Sequence, residues 1–318
     1  MFVTRLSILF SLFLFSTISL YSQEIKRSLI SPPVNNVFDF YLSSSAKVYF
    51  GNPENLWIFD LNGDSLQHHS RLDLSSDITA IIASEERNEV FLGTKDGCIA
   101  QIDINNKMMT HFICHQGDQI TSLAFNSEKN FLIAGGTRGV VYKHRVADIE
   151  SFEVLYSCSD QVTDIELSSA GDYLSVCDGT GLVSLFDASD LSLISSTRVS
   201  DGLLRDLAFV LGTERFVTVD EKGIFSKWRI SQSKYLINVS ESRESYSGLL
   251  CVDVNSEGTS FCFGGKNHQF YVQTPFGSYK NRLQGPVLKS SFFEKDGYLF
   301  FVHCLYGKGI VLTSLAGM

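Results

Sequence analysis

The sequence predicts an all-β fold built from repeated four-stranded units, and three observations carry that prediction. Two separate landmarks recur every 42 residues: Ile78, Ile120, Val162 and Leu204 each open an apolar stretch, and Gly97, Gly139, Gly181 and Gly223 each close a second one. The apolar stretches are short and bounded by turn residues such as Asn126-Ser127-Glu128 and Ser168-Ser169-Ala170-Gly171. They lack the three-and-four spacing of a buried helical face. Finally, seven units of this size fill almost all of the 318 residues once an N-terminal leader is set aside. A repeat of about 42 residues with four short strands per unit is the signature of a propeller blade, not of a helical repeat.

The elements follow in chain order. Residues 1–5 hold one positive charge, at Arg5, and Leu6 to Leu20 is an apolar run of 15 residues broken only by Ser and Thr. A spanning helix needs about 20 apolar residues, so this run is expected to be a signal peptide over residues 1–22, cleaved near Ser22. No stable membrane span is then expected in the mature chain, and the first cysteine, at 98, argues against an N-terminal lipid anchor. A single domain is expected over 23–318, an all-β, seven-bladed β-propeller of four-stranded antiparallel blades. The blades are placed at residues 34–74, 75–116, 117–159, 160–200, 201–243, 244–284 and 285–318. The last unit stops after three strands, while residues 24–31 supply a strand too many at the start. That strand is therefore expected to complete the seventh blade and close the ring, because an unclosed ring leaves an open edge.

With these segments in view, the repeat resembles the WD40 family and, more distantly, the YVTN-type propellers of bacterial extracellular proteins. The resemblance rests on Gly93-Thr94-Lys95-Asp96-Gly97, Val183-Ser184-Leu185-Phe186-Asp187, Phe216-Val217-Thr218-Val219-Asp220, Trp228-Arg229 and Phe59-Asp60. The chain departs from the WD40 pattern by lacking a Gly-His before the first strands and any Trp-Asp dipeptide. What the resemblance implies is a rigid ring that presents loops to a partner.

Composition sets the chemistry. A formal charge of −9 makes a phosphate-backbone partner a poor expectation, and 44% hydrophobic with 19% charged residues excludes wholesale disorder. Of the seven histidines, His111 and His115 are spaced too far apart on a strand to share one metal, and are expected on the surface. His144 stands where other units place a large apolar residue and is expected in the core. No Gly-x-Ser-x-Gly elbow or phosphate loop is present. No metal site and no cofactor are expected.

The seven cysteines read as small buried residues, with one expected disulfide, Cys251–Cys262, across the turn Asn255-Ser256-Glu257-Gly258. Asp77, Asp118, Asp160 and Asp201 precede four successive first strands, either as turn-forming residues or as an acidic rim. Binding candidates on the same loop face are Lys95, Asp96, Arg138, Thr180, Glu221, Lys222, Lys266, Asn267, His268, Tyr306 and Lys308. The expected function is an exported, non-catalytic platform for another protein, periplasmic or extracellular. The alternative is a propeller hydrolase of the lactonase kind, which requires a cluster of His, Asp, Glu and Arg at the channel mouth. Oligomeric state is left open by the sequence.

Overall fold

The computed structural model describes residues 26–29, 37–52, 55–62, 65–73, 76–295 and 298–315, and the expected signal peptide lies outside them. Strand β1 (Lys26–Leu29) comes first. Blade 1 holds β2 (Phe40–Leu42), β3 (Lys47–Asn52), β4 (Asn55–Asn62) and β5 (Ser65–Asp73). Blade 2 holds β6 (Ile78–Ser84), β7 (Glu89–Thr94), β8 (Cys98–Asp103) and β9 (Met108–Cys114). Blade 3 holds β10 (Ile120–Asn126), β11 (Phe131–Gly136), β12 (Val140–Arg145) and β13 (Asp148–Ser157). Blade 4 holds β14 (Val162–Leu167), β15 (Tyr173–Asp178), β16 (Leu182–Asp187) and β17 (Leu193–Arg198). Blade 5 holds β18 (Leu204–Phe209), β19 (Arg215–Asp220), β20 (Ile224–Ile230) and β21 (Leu236–Arg243). Blade 6 holds β22 (Leu249–Val254), β23 (Phe261–Gly265), β24 (Gln269–Thr274) and β25 (Gly277–Arg282). Blade 7 holds β26 (Val287–Lys295), β27 (Tyr298–Leu305) and β28 (Gly309–Leu315).

Each blade is an antiparallel sheet in sequence order, and the seventh runs β1-β28-β27-β26. β1 pairs antiparallel with β28, Lys26 opposite Ser314 and Leu29 opposite Val311. The first and last strands of the chain thus share one sheet, as a closed ring requires.

The burial pattern explains the strand sequences. The second strands of blades 3, 4 and 6 are buried along their whole length, because each blade is packed on both faces by its neighbours. They therefore read as continuous apolar runs, while outer strands such as β17 and β21 are largely exposed. The apolar residues form seven clusters, one in each seam between blades. The seam between blades 7 and 1 holds Phe50, Phe59, Val302 and Leu312. The seam between blades 4 and 5 holds Leu185, Leu204, Phe216 and Trp228.

In six of the seven blades a small residue near the end of the second strand lets the next blade come close. A Cβ on Gly93 would lie 2.4 Å from Ile120, and one on Gly135 2.4 Å from Val162. Cys177 and Cys304 occupy the matching places in blades 4 and 7, both wholly buried. This is the packing use of free cysteine, small and apolar.

Six inner strands carry an irregularity at one shared point, between Ile78 and Ala80, Ile120 and Ser122, Val162 and Asp164, Leu204 and Asp206, Leu249 and Cys251, and Val287 and Lys289. A bulge re-aims the side chains beside it. Here it helps turn Ser122, Asp164, Asp206 and Lys289 toward the central channel.

The register corrects the expected disulfide. The turn between β22 and β23 runs over residues 255–260, which places Cys251 opposite Gly264 and Cys262 opposite Asp253, so the two sulfurs never face each other, and both are free buried thiols. The bridge that forms is Cys98–Cys114, between directly opposed residues of β8 and β9.

Candidate functional site

The central channel encloses about 400 Å³. Its lining includes five carboxyl side chains, Asp39, Asp164, Glu166, Asp206 and Asp253, with the cations Lys289 and Arg205. Most of these groups are occupied in stitching one blade to the next. Asp39 Oδ2 accepts the Ile81 N–H at 2.8 Å, Asp164 Oδ2 that of Leu207 at 3.2 Å, Asp206 Oδ2 that of Val252 at 2.8 Å, and Asp253 Oδ2 that of Phe292 at 2.9 Å. Ser122 Oγ accepts the Ile165 N–H at 3.0 Å, and Thr79 Oγ1 donates to the Ile120 carbonyl at 2.6 Å. The last seam, between blades 7 and 1, is spanned by Lys289 Nζ and Asp39 Oδ1 at 2.6 Å. Each of the seven seams therefore carries an inner polar link.

Burial raises the affinity of four of these carboxyls, Asp164, Glu166, Asp206 and Asp253, for protons. Burial, then the charges of Asp164, Asp206 and Asp253, push Glu166 well above the usual carboxylate range. Burial and the neighbouring Asp164 do the same to Asp206. Asp253 is raised by burial. Burial alone would lower the Lys289 ammonium, but the charge of Asp39, with Asp206 and Asp164 behind it, outweighs this and holds it above its ordinary value. Its side chain keeps 39% of its surface open to the channel, so the ammonium is surrounded by protein yet wetted.

The channel lining contains no histidine, and no group of three or more His, Cys, Asp or Glu is arranged to hold a metal ion among the described residues. Of the His, Asp, Glu and Arg that a lactonase-like site requires, the lining brings together Asp, Glu and Arg. Of the four aspartates that precede first strands, Asp118 alone is withdrawn from the rim. Asp118 is buried and accepts from the Arg138 N–H at 2.8 Å and the Tyr142 hydroxyl at 2.9 Å. Its carboxylate fills the space a Cβ on Gly136 would need, and does for the turn of blade 3 what Asp178 and Asp220 do in blades 4 and 5. Asp160 accepts from the Gln161 N–H, Asp77 lies 3.8 Å from Lys95, and Asp201 is exposed.

The other candidates share one end of the ring, since the turns between second and third strands lie at the same end as the links between blades. Asp96 accepts from Ser76 there. Thr180 donates to Asp178, Glu221 pairs with Arg205 at 3.7 Å, and Lys222, Lys266 and Lys308 are exposed. His268 sits at a positive φ of 63° in its turn, and Asn267 donates to Tyr271. Tyr306 is 60% exposed.

His115 is another correction. The strand ends at Cys114, and the histidine turns inward to 6% exposure, stacked on Tyr142. Its Nε2 lies 3.2 Å from Nε2 of His144, whose Nδ1 lies 2.7 Å from the Ile149 carbonyl oxygen. A carbonyl only accepts, so His144 Nδ1–H donates, its bare Nε2 accepts, and His115 supplies the proton between them. Both rings are neutral. Burial lowers His115 and takes His144 down to about 4.

The channel residues were missed in the sequence, although Asp164 and Asp206 stand 42 residues apart at the third place of their units, the place also held by Asp39 and Lys289. No family model and no curated protein matches this sequence. Among solved structures, the crystal structure of the Cps50 (Swd1) β-propeller domain from Myceliophteria thermophila matches at 13% identity with a TM-score of 0.77. The match covers 92% of this chain and 100% of that one. The fold is a WD40-like β-propeller. In blade 5 of the propeller, Trp228 Nε1 donates to Thr218 Oγ1 at 3.0 Å, tying third strand to second without a Trp-Asp pair. Among the described residues no helix is long and apolar enough to cross a membrane.

Proposed function

We propose that the chain is an exported, non-catalytic WD40-like propeller that holds another protein on the loop face carrying Lys95, Lys222 and Lys308. The observation that carries this reading is the engagement of the channel carboxylates in links between blades. Side chains committed to backbone N–H groups serve rigidity and are poorly placed for acid–base work. Rigidity in turn lets loops at one end act as a fixed surface. Export rests on the apolar run from Leu6 to Leu20, with the mature chain periplasmic or extracellular.

The test is capture from host envelope and soluble extracts by mature protein, against a triple Lys95→Glu, Lys222→Glu, Lys308→Glu variant. One or two partners recovered near stoichiometrically, and reduced at least tenfold by the variant, support the reading. Equal capture by both proteins moves the site off this face. Mass spectrometry of the exported chain tests the leader, and an intact Met1 contradicts cleavage.

A further inference from the structure

The turns between second and third strands place their charges unevenly around the loop face. In blades 2 to 4 the charges offset one another: Lys95 faces Asp77 at 3.8 Å and is followed by Asp96, and Arg138 is followed by the exposed Asp160 of the next link. In blades 5 to 7 each of the three turns carries an exposed lysine, Lys222, Lys266 and Lys308. None of these three has an ion-pair partner among the described residues. The two carboxylates of the same stretch are already engaged. Glu221 pairs with Arg205 at 3.7 Å, and Glu244 accepts from the Ser242 hydroxyl at 2.7 Å and the Gln273 amide at 3.0 Å. Arg243 and Arg282, the last residues of β21 and β25, bring two more cations to this end. Asp201 bounds the arc on the side of blade 4, where it lines one hollow with Lys222 and Arg243. Two tyrosines stand among these cations, Tyr246 at 94% and Tyr306 at 60% exposure, with the Arg243 guanidinium 5.5 Å from the centre of the Tyr246 ring.

We propose that this arc over blades 5 to 7 is where the partner docks, and that it takes an acidic segment of that partner, a run of aspartates and glutamates. The inference rests on the loop-face reading above and names the chemistry of what binds there. Charge selects the occupant. A chain of net charge −9 repels a carboxylate-rich segment over most of its surface, so the lysines concentrate both encounter and binding on one stretch. Because each lysine is unpaired, a carboxylate that meets it displaces no existing partner. Exposed tyrosine beside arginine is the pairing enriched where protein contacts carry their energy, and it gives apolar side chains of the segment a surface to meet. A nucleic acid is the poorer match. A long polyanion must lie against the negative remainder of the ring, and three lysines neutralise few phosphates. A short acidic segment of a folded protein meets the arc alone.

The experiment is fluorescence anisotropy of a labelled decaglutamate peptide on the mature chain, beside decaglutamine and an oligothymidylate of the same length. Two variants lose the same charge: Lys222→Gln, Lys266→Gln, Lys308→Gln on the arc, and Lys107→Gln, Lys129→Gln, Lys295→Gln at the opposite end of the ring, where all three side chains are exposed. Thermal melting checks that both variants keep the fold. The expected result is saturable binding of decaglutamate that falls as salt is added, with decaglutamine not bound. The arc variant should weaken it at least tenfold and the other variant no more than twofold. Absence of saturable decaglutamate binding overturns the proposal, as does equal weakening by both variants, which assigns the effect to net charge alone. Tighter binding of oligothymidylate than of decaglutamate assigns the arc to nucleic acid and also overturns it. The platform and the acidic segment fail separately. Partners captured from host extracts while decaglutamate is ignored keep the platform and overturn the acidic segment. Decaglutamate held at the three lysines with no partner captured supports the chemistry of the arc and counts against the platform.

Discussion

At the scale of the residue, the buried histidine pair has a measurable consequence. His144 takes a proton near pH 4 in the native ring, whereas an unfolded histidine takes one near 6.5. Between those values the unfolded chain binds a proton that the native chain refuses, so this contribution to stability is full above about pH 6.5 and is lost as pH falls toward 4. The difference corresponds to about 3 kcal/mol at most. His144→Phe should flatten that limb in denaturant unfolding followed from pH 7 to 4; an unchanged slope would show that the pair does not titrate with unfolding. The core place of His144 was legible because the repeats align it with Ile102, Phe186 and Trp228. Its partner was not. His115 looked like a surface residue because the end of β9 at Cys114 cannot be read from the sequence, and one residue beyond a strand the side chain is free to turn inward. The same difficulty misplaced the disulfide. Cys251 and Cys262 are symmetric about Asn255-Ser256-Glu257-Gly258, but the turn runs on through Thr259 and Ser260 and offsets them by two residues; in a hairpin the length of the loop fixes the register.

At the scale of the element, the repeat made the fold legible because each blade solves the same packing problem with the same side chains in the same order. The glycine that four of the second strands carry makes the tightest contact. Gly135→Ala would drive a methyl group to 2.4 Å from Val162 Cγ1, and the cost expected for overpacking a filled core is about 1–3 kcal/mol. Urea unfolding should show a lower midpoint with little change in slope. Val219 shows that the place tolerates a larger residue where the facing blade is shaped for it, so a neutral Gly135→Ala would mean that the seam yields more readily than its contacts suggest. The closing strand was legible from a count of strands. A chain beginning at Val34 lacks β1, and should melt at least about 5 °C below the mature chain, since β28 would lose its outer partner. Equal melting temperatures would show that the ring closes without it.

At the scale of the whole molecule, the propeller is held at two radii: apolar clusters fill the seven seams, and polar links join the inner strands around the channel. The inner circle was not legible beforehand because an isolated Asp in a strand reads as a surface residue. Only the ring brings Asp39, Asp164, Asp206 and Lys289 together. That convergence has an electrostatic cost, and its sign is opposite to that of the histidines. Asp164, Glu166, Asp206 and Asp253 hold protons more tightly in the native ring than unfolded. Their contribution is therefore full below about pH 4, the unfolded carboxylate value, and is lost as pH rises through their native values. Asp206→Asn keeps an oxygen for the Val252 N–H while removing the titrating group. The variant should be more stable than the native chain at pH 7, with the gain shrinking as pH approaches 4. Lys289→Met works the other way, leaving Asp39, Asp164 and Asp206 without their common cation. A fully dry ion pair would cost several kcal/mol to break, but the ammonium is partly wetted by the channel, so about 2 kcal/mol is expected at pH 7. Acidification should restore part of that loss as the orphaned carboxylates take up protons. Thermal melting of both variants at pH 7 and pH 4.5 decides the matter: parallel shifts at the two pH values would mean that the channel acts through packing alone, and divergent ones that its charges set the stability of the ring.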